Sequence, residues 1–337
     1  MKKQKYLALT ALVAVATLVG CSTNASDGGN GDDFLVGYSQ PIGSQTDQQM
    51  TADGLTTAAD ELGWSTRLID ANLSVDKQMS DLQTLTQLGA EAIGIWALDS
   101  DALRSAYANA NSQDVSLVGV NSEADEFAGT VWWQTYVCED GAPAQETAKY
   151  IAAHKGADAR VIVIGGPPVP AIRGYAECFT EAAESEGLQV VNQTDNTTDS
   201  SSAASTIVSE LLLQYPDVDA IWTFNDLTAL GASSAVQQAD QMVYDESNDG
   251  IAIFGLNAND DALEAVRQGR LTGTWDTDPV ATGWAVIKMV NDIKEGAVES
   301  GEATAVVEST LWTSENIADY VAPEERSYTI DTVPLVD

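Results

Sequence analysis

The fold of this chain is decided by residues 216–226, which read PDVDAIWTFND. The apolar run at 219–224 has the length and composition of a buried strand. Asp226 follows this run and can accept hydrogen bonds from the first backbone N–H groups of a helix, which the amphipathic segment 227–238 predicts. A buried strand that leads directly into a helix is the repeating unit of a parallel sheet covered by helices.

The same strand-and-helix unit recurs along most of the chain. Short apolar runs predict other strands at 34–38, 66–69, 92–96, 116–120, 160–164, 188–191 and 251–256. Gly63 and Gly89 lie where helices must end, because glycine readily adopts the left-handed conformation of a helix C-terminus. The alternation restarts midway, and 337 residues exceed what one hydrophobic core usually supports. The sequence therefore predicts an α/β fold with two doubly wound parallel-sheet lobes.

Composition and motifs exclude several classes of function. The chain carries 51 acidic against 15 basic residues, a formal net charge of −36, and such a field repels nucleic acid. His154 is the only histidine, and the sequence contains no nucleophile elbow, zinc-protease motif or phosphate-binding loop. We therefore expect a protein that is not an enzyme and that has no cofactor, no metal site and no nucleic-acid partner.

The first 33 residues predict export and a tether. Three lysines precede an apolar run too short to span a bilayer, which ends in LVGC at residues 18–21. This ending resembles a bacterial lipobox, which implies a lipoprotein signal peptide at 1–20 and lipid on Cys21; a plain secretory signal is the alternative. Residues 21–33 are small and polar, as in a flexible tether. We expect an extracytoplasmic protein, lipid-anchored to the outer face of the cell membrane.

The cysteine count fits this compartment. Once Cys21 is assigned to lipid, Cys138 and Cys178 remain as an even pair. Such a pair in an oxidising location predicts a disulfide that closes a loop of about 40 residues. Two buried thiols are the alternative.

Polar residues follow the predicted strands at the end where open parallel sheets bind ligands. They offer hydroxyl, amide and carboxylate groups and one fixed cation, which is the chemistry of a polyol site. The candidate ligand-binding residues are Ser39, Gln45, Asp47, Trp96, Asn121, Arg173, Asn225, Asn257 and Thr277.

Three of these candidates have ordinary structural alternatives. Asn225 could be a turn residue before Asp226, and Arg173 could pair with surface carboxylates. Trp96 could stack on a sugar ring or pack in the core, where tryptophan is common.

Three segments resemble the ribose- and galactose-binding type of periplasmic substrate-binding protein: residues 34–121, the stretch 216–226 and the run 254–257. The most specific motif is Asn225-Asp226 followed by ALGA at 229–232. The resemblance implies the type I fold, whose lobes are joined by a hinge of several chain crossings, near 138–140, 276–279 and 305–308. The boundaries implied are 34–138 with 278–306 for the N-terminal lobe, and 139–277 with 307–337 for the C-terminal lobe and tail.

The resemblance also implies residue roles and a function. Arg173 matches the family arginine that binds sugar hydroxyls, and Asn225 matches the asparagine that reaches vicinal hydroxyls. Asn257 stands where the family commonly has aspartate, which changes how a hydroxyl is read. The implied protein is a monomer that captures a monosaccharide or polyol and delivers it to ABC permease subunits in the membrane. The alternatives are a receptor that presents its ligand to a sensor kinase, or a binder of a nucleoside or furanose signal molecule.

Overall fold

The computed structural model describes residues 34–139 and 141–336. The predicted signal peptide, the tether and Cys21 lie outside these residues. The strands, in chain order, are β1 Leu35–Gln40, β2 Ser65–Asp70, β3 Ala92–Ile95, β4 Ser116–Val120, β5 Gly129–Trp133, β6 Arg160–Gly165, β7 Gln189–Asp195, β8 Ala220–Thr223, β9 Ala252–Leu256, β10 Gly273–Asp276, β11 Ala303–Val307 and β12 Thr310–Thr313.

Helices follow most of these strands. They are α1 Thr46–Glu61, α2 Val75–Gln87, α3 Ser100–Asn111, α4 Pro143–Lys155, α5 Pro170–Ser185, α6 Ser201–Gln214, α7 Asp226–Gln238, α8 Asp260–Arg267 and α9 Pro279–Lys294. Within 34–139 and 141–336, no helix has the length and apolar character needed to cross a membrane.

The strands form two six-stranded sheets, one in each lobe. The order is β11-β5-β4-β3-β1-β2 in the first sheet and β12-β10-β9-β8-β6-β7 in the second. The paired strands are parallel except for β10 and β12. Apolar strand residues such as Ile93 and Ile162 are fully buried, because helices cover both faces of each sheet. The predicted architecture of two doubly wound lobes is confirmed.

Helices α1 and α9 pack closely on one face of the first sheet. A side chain at Gly54 would collide with the carbonyl group of Val280, and one at Gly283 would collide with the α1 backbone at Thr51. Both positions therefore need glycine for the two helix backbones to approach each other.

The helix ends agree with the sequence prediction in two places and differ in one. Gly63 and Gly89 have φ of +73° and +82°, as predicted for residues just beyond a helix. The prediction that Asp226 caps α7 is wrong. The capping residue is Asn225, whose Oδ1 accepts the backbone N–H of Thr228 at 3.0 Å. Asn225 has the extended backbone of a capping residue, whereas Asp226 is already helical, and its carboxylate accepts hydrogen bonds from Asn259 and Thr274.

The two lobes are joined at the predicted crossings. Chain segments pass between them from β5 to α4, from β10 to α9 and from β11 to β12. The predicted disulfide is confirmed: Cys138, in the first crossing, is bonded to Cys178 of α5, with their Cα atoms 5.5 Å apart. The bond thus fixes the first crossing to the second lobe.

The end of the chain forms a fourth connection. Tyr320 packs against the core of the second lobe, whereas Tyr328 and Leu335 pack against the core of the first. We call residues 321–336 the C-terminal strap. The resemblance implied that 307–337 belongs to the second lobe and tail; in the structure the strap packs on the first lobe, where its apolar side chains are partly buried.

A buried ion pair holds the strap where β10 ends. The guanidinium of Arg326 donates to both carboxylate oxygens of Asp276, lies 3.3 Å from Oδ1 of Asp278 and donates through Nε to the carbonyl of Val321 at 3.0 Å. The indole N–H of Trp312 donates to Asp276 at 3.2 Å. Burial alone lowers the pKa of Arg326, but the hydrogen bond and charge of Asp276 outweigh it and raise the pKa. The strap is therefore fastened directly to a crossing between the lobes.

Candidate functional site

The carboxyl edge of the first sheet carries three of the predicted site residues. Ser39 lies beside Ile95 in the register of β1 and β3, and Trp96 follows directly. Asn121 follows β4 with a left-handed backbone (φ 48°), and its Oδ1 accepts the backbone N–H of Trp133 at 2.7 Å. Adjacent strands therefore bring Ser39, Trp96 and Asn121 to one edge.

The carboxyl edge of the second sheet carries three more. Asn225 follows β8, Asn257 follows β9, and Thr277 follows β10. The backbone N–H of Asn257 donates to the carbonyl of Trp275 at 2.8 Å, which ties the ends of β9 and β10 together. These three residues share an edge because their strands are consecutive in the sheet order.

An aromatic column connects the two edges through the first crossing. The ring centroids of Trp96 and Trp133 are 4.9 Å apart, and those of Trp133 and Tyr136 are 5.5 Å apart. Tyr136 in turn contacts Tyr175 of α5 in the second lobe at 5.8 Å. Trp96 is partly buried at the first-lobe end of this column, so one part of its ring is accessible for contact with a ligand.

Acidic groups from both lobes influence this region. Burial raises the pKa of Asp47 at the start of α1, and the negative charge of Asp199 in the second lobe raises it further. The same Asp47 charge adds to burial in raising the pKa of Tyr38 and of Tyr136. Asp47 therefore lies near the first crossing and interacts electrostatically with the opposite lobe.

Several buried polar atoms near these edges lack a hydrogen-bond partner within the described part of the protein. A buried donor or acceptor without a partner costs about 1–3 kcal/mol, so such groups normally meet water or a ligand. They are Ser39 Oγ, Asn121 Nδ2 and Thr277 Oγ1, together with Tyr38 OH and Thr135 Oγ1. Chemically, they supply hydroxyl and amide groups that can pair with the hydroxyl groups of a small molecule.

Both polar atoms of the Asn225 side chain already form hydrogen bonds within the protein. Its Oδ1 caps α7, and its Nδ2 donates to Oδ1 of Asp199 at 2.7 Å. Asn225 therefore orients the Asp199 carboxylate, and its second amide hydrogen is the group left for a ligand.

Two predicted residues are more exposed than the others. Gln45 precedes α1 and is exposed. Arg173 lies in the first turn of α5 and is exposed, and it makes no ion pair with the residues at 34–139 and 141–336. Their contact with a ligand stays a prediction, as it does for all nine candidates.

Three further residues near the two edges are not among the predicted site residues. Thr135 and Tyr136 lie in a short 3-10 turn directly after β5, and Tyr175 lies on α5. The only sequence signal for the first two was their position beside the predicted crossing. No group of three or more histidine, cysteine or acidic residues within 34–139 and 141–336 could hold a metal ion.

Known proteins resemble this chain in sequence and in fold. The model of the periplasmic binding protein domain matches residues 36–297. The ribose import binding protein RbsB of Bacillus subtilis is 29% identical over 304 residues, covering 88% of this chain and 94% of that protein. A putative rhizopine-binding protein of Rhizobium meliloti is 24% identical, covering 91% and 96%. The crystal structure of a periplasmic ribose ABC transporter from Conexibacter woesei superposes with a TM-score of 0.75 at 19% identity, covering 86% and 96%.

Proposed function

Because the chain belongs to the periplasmic binding protein family, we propose that it captures a monosaccharide or polyol between its two lobes and delivers it to an ABC importer. The observation that carries the proposal is the set of buried hydroxyl and amide groups that have no partner among the described residues, with Ser39 and Asn121 at the edge of one sheet and Thr277 at the edge of the other. A polyhydroxylated ligand offers these groups both donors and acceptors. The ribose import relative, 29% identical, supports the same class of ligand.

The free energy of lobe closure would come from contacts that the ligand makes with both lobes at once. In this scheme Ser39, Asn121 and Asp47 bind from the first lobe, whereas Arg173, Asn257 and Thr277 bind from the second. Trp96 and the aromatic column would pack against the apolar face of the sugar ring. Asp199, oriented by Asn225, would accept hydrogen bonds from ligand hydroxyls.

A direct test is a thermal-shift screen followed by calorimetry with D-ribose, xylitol, myo-inositol and adenosine. A ligand present at a hundred times its Kd adds about 2.7 kcal/mol to the free energy of unfolding. We expect a sugar or polyol to raise the Tm and adenosine to leave it unchanged. Stabilisation by adenosine alone would replace the proposal with the nucleoside alternative.

Arg173→Ala tests one assigned contact. Removing a charged hydrogen-bond donor from a ligand should cost roughly 1.5–3 kcal/mol of binding, whereas Arg104→Ala, which removes an exposed arginine of α3, should leave the affinity unchanged. Calorimetry on both variants decides the assignment. A change of less than twofold for Arg173→Ala would remove this residue from the site.

The family consists of binding proteins, and we propose that the sugar leaves the cleft chemically unchanged. Incubation of the sugar with the protein, followed by chromatography, should return it intact.

We also propose that the protein is a monomer that serves permease subunits. Deletion of its gene should abolish uptake of the labelled sugar, whereas retained uptake with a lost transcriptional response would favour the sensor-kinase alternative.

We further propose that the body is tethered by lipid on Cys21 through residues 21–33. A polar linker of this length holds its ends about 20 Å apart on average. Cys21→Ser should move the protein from the membrane fraction into the medium, and wild-type protein should incorporate labelled fatty acid. Retention of Cys21→Ser on the membrane would contradict the anchor.

A further inference from the structure

The turn that carries Asn257 has an unusual backbone. Asn257 and Ala258 have φ of 106° and 48°, so two consecutive residues with side chains occupy the left-handed half of conformational space. Such conformations persist only where the surroundings impose them, and they concentrate at functional sites. The question is which groups hold the turn.

Three successive backbone N–H groups of the turn are each held by a different acceptor. The N–H of Asn257 donates to the carbonyl of Trp275. The N–H of Ala258 donates to Oγ1 of Thr274 at 3.2 Å, and that of Asn259 donates to Oδ2 of Asp226 at 2.8 Å. Thr274 and Asp226 therefore determine the backbone path after Asn257.

Thr274 and Asp226 also bind each other. The hydroxyl of Thr274 donates to Oδ1 of Asp226 at 2.6 Å, and both residues are fully buried. The carboxylate lies against β9 at Gly255, where any side chain would collide with it. This arrangement explains why Asp226 does not cap α7: both of its oxygens are committed to β10 and to the turn.

Burial and hydrogen bonding have opposite effects on the pKa of the Asp226 carboxyl group. Burial raises its pKa to about 7, and the charge of Asp276 adds to the increase, whereas hydrogen bonds from Thr274 and from the backbone of Asn259 lower it. A buried carboxylate of this kind is retained only where its donors are well placed.

We propose that Asp226 and Thr274 are positioning residues that hold the turn 257–259 so that Asn257 presents its side chain to the ligand. The Asn257 side chain makes no hydrogen bond to the rest of the protein at 34–139 and 141–336, and it lies at the ligand edge of the second sheet. Only the contact between the Asn257 side chain and a ligand rests on the proposed function. The geometry of the turn can be tested without any ligand.

The test compares Thr274→Val, which keeps the shape but removes the hydroxyl, with Thr274→Ser, which keeps the hydroxyl. Thr272→Val is the matched control, because the buried hydroxyl of Thr272, directly before β10, accepts the N–H of Ile253 in β9 at 2.9 Å, away from the turn. Amide hydrogen exchange in the unliganded protein is read by NMR. Thr274→Val should accelerate exchange at Ala258 at least tenfold, whereas Thr274→Ser and Thr272→Val should not.

The second measurement is a double-mutant cycle with D-ribose in calorimetry. Thr274→Val and Asn257→Ala should each weaken binding about tenfold, and the double variant should weaken it little further, because both changes remove the same contact. A purely structural role would give additive losses.

Unchanged exchange in Thr274→Val, or additive losses of affinity, would overturn the inference. Asp226→Asn provides a second variant, because it replaces one acceptor with a donor that opposes either the N–H of Asn259 or the hydroxyl of Thr274. Absence of D-ribose binding by the wild-type protein would count against ribose as the ligand in the proposed function. In that event the exchange measurement alone decides the inference.

Discussion

Replacing Arg326 with methionine should strongly destabilise the protein. The charged side chains of Arg326 and Asp276 are almost completely buried, at 8% and 6% exposure. Methionine keeps the length and apolar packing of the arginine but removes the cation. Among the described residues, Asp276 would then keep two neutral donors, the indole of Trp312 and the backbone N–H of Asp278 at 2.9 Å.

The magnitude follows from this loss. Removing one partner of a buried ion pair costs about 3–5 kcal/mol, since an uncompensated charge stays inside the protein. Urea unfolding followed by circular dichroism measures the difference in free energy, and Arg104→Met at an exposed site is the matched control. Arg326→Met combined with Asp276→Asn should cost less than the sum of the single changes by at least about 1 kcal/mol. A loss below about 1 kcal/mol for Arg326→Met would refute the reasoning.

Three other outcomes are expected. Burial, with a smaller contribution from Asp276, raises the pKa of Asp226 from 3.8 to about 7, so between these pH values the folded protein binds a proton that the unfolded chain has lost. This group should therefore lower stability by at most about 4 kcal/mol as pH rises from about 4 to 7. Urea unfolding should show a smaller fall in Asp226→Asn than in wild type; part of the slope should remain, because burial also raises the pKa of Asp47. Replacing Cys138 and Cys178 with serine should cost about 3–4 kcal/mol, as should reduction of wild type by dithiothreitol, with no further loss when the variant is reduced. Gly283→Ala should lower the Tm by overpacking the contact between α1 and α9, at a cost of about 1–3 kcal/mol, and an unchanged Tm in calorimetry would contradict the close approach of these helices.

The two lobes could be predicted from the sequence because buried parallel strands leave a strong local signal. Runs such as 92–96 and 219–224 are mostly apolar and are followed by amphipathic segments, so their pattern depends largely on burial. Strands β5, β10, β11 and β12 were not identified. Each has only four or five residues, and β5, β11 and β12 are in part only half-buried, which leaves little apolar pattern to recognise.

The roles of Asn225 and Asp226 could not be separated in the same way. Both residue types can cap a helix, and they are adjacent in sequence. Which of them caps depends on backbone angles and on the contacts of Asp226 with Thr274 and Asn259, residues that lie 33 or more positions away in the chain. Long-range contacts of this kind have no signature in a local pattern.

The same limit applies to the strap. Residues 321–336 lack a regular apolar period, and nothing near Arg326 in sequence identifies Asp276 as its partner 50 residues away. Asp276 directly precedes the candidate Thr277, yet its carboxylate is bound by the protein, whereas the hydroxyl of Thr277 has no partner within the described residues.

Because the strap returns to the first lobe, the two ends of the described chain lie on the same lobe. Phe34 packs in the first-lobe core and Leu335 packs against it, so the second lobe consists, in chain terms, of two insertions into the first lobe, separated by α9 and β11. Fluorescent proteins fused at the two ends would move together and would report little of the closure. A reporter of ligand capture in this protein should therefore pair one end with an exposed position of the second lobe, such as Leu213 on α6, which is 85% exposed.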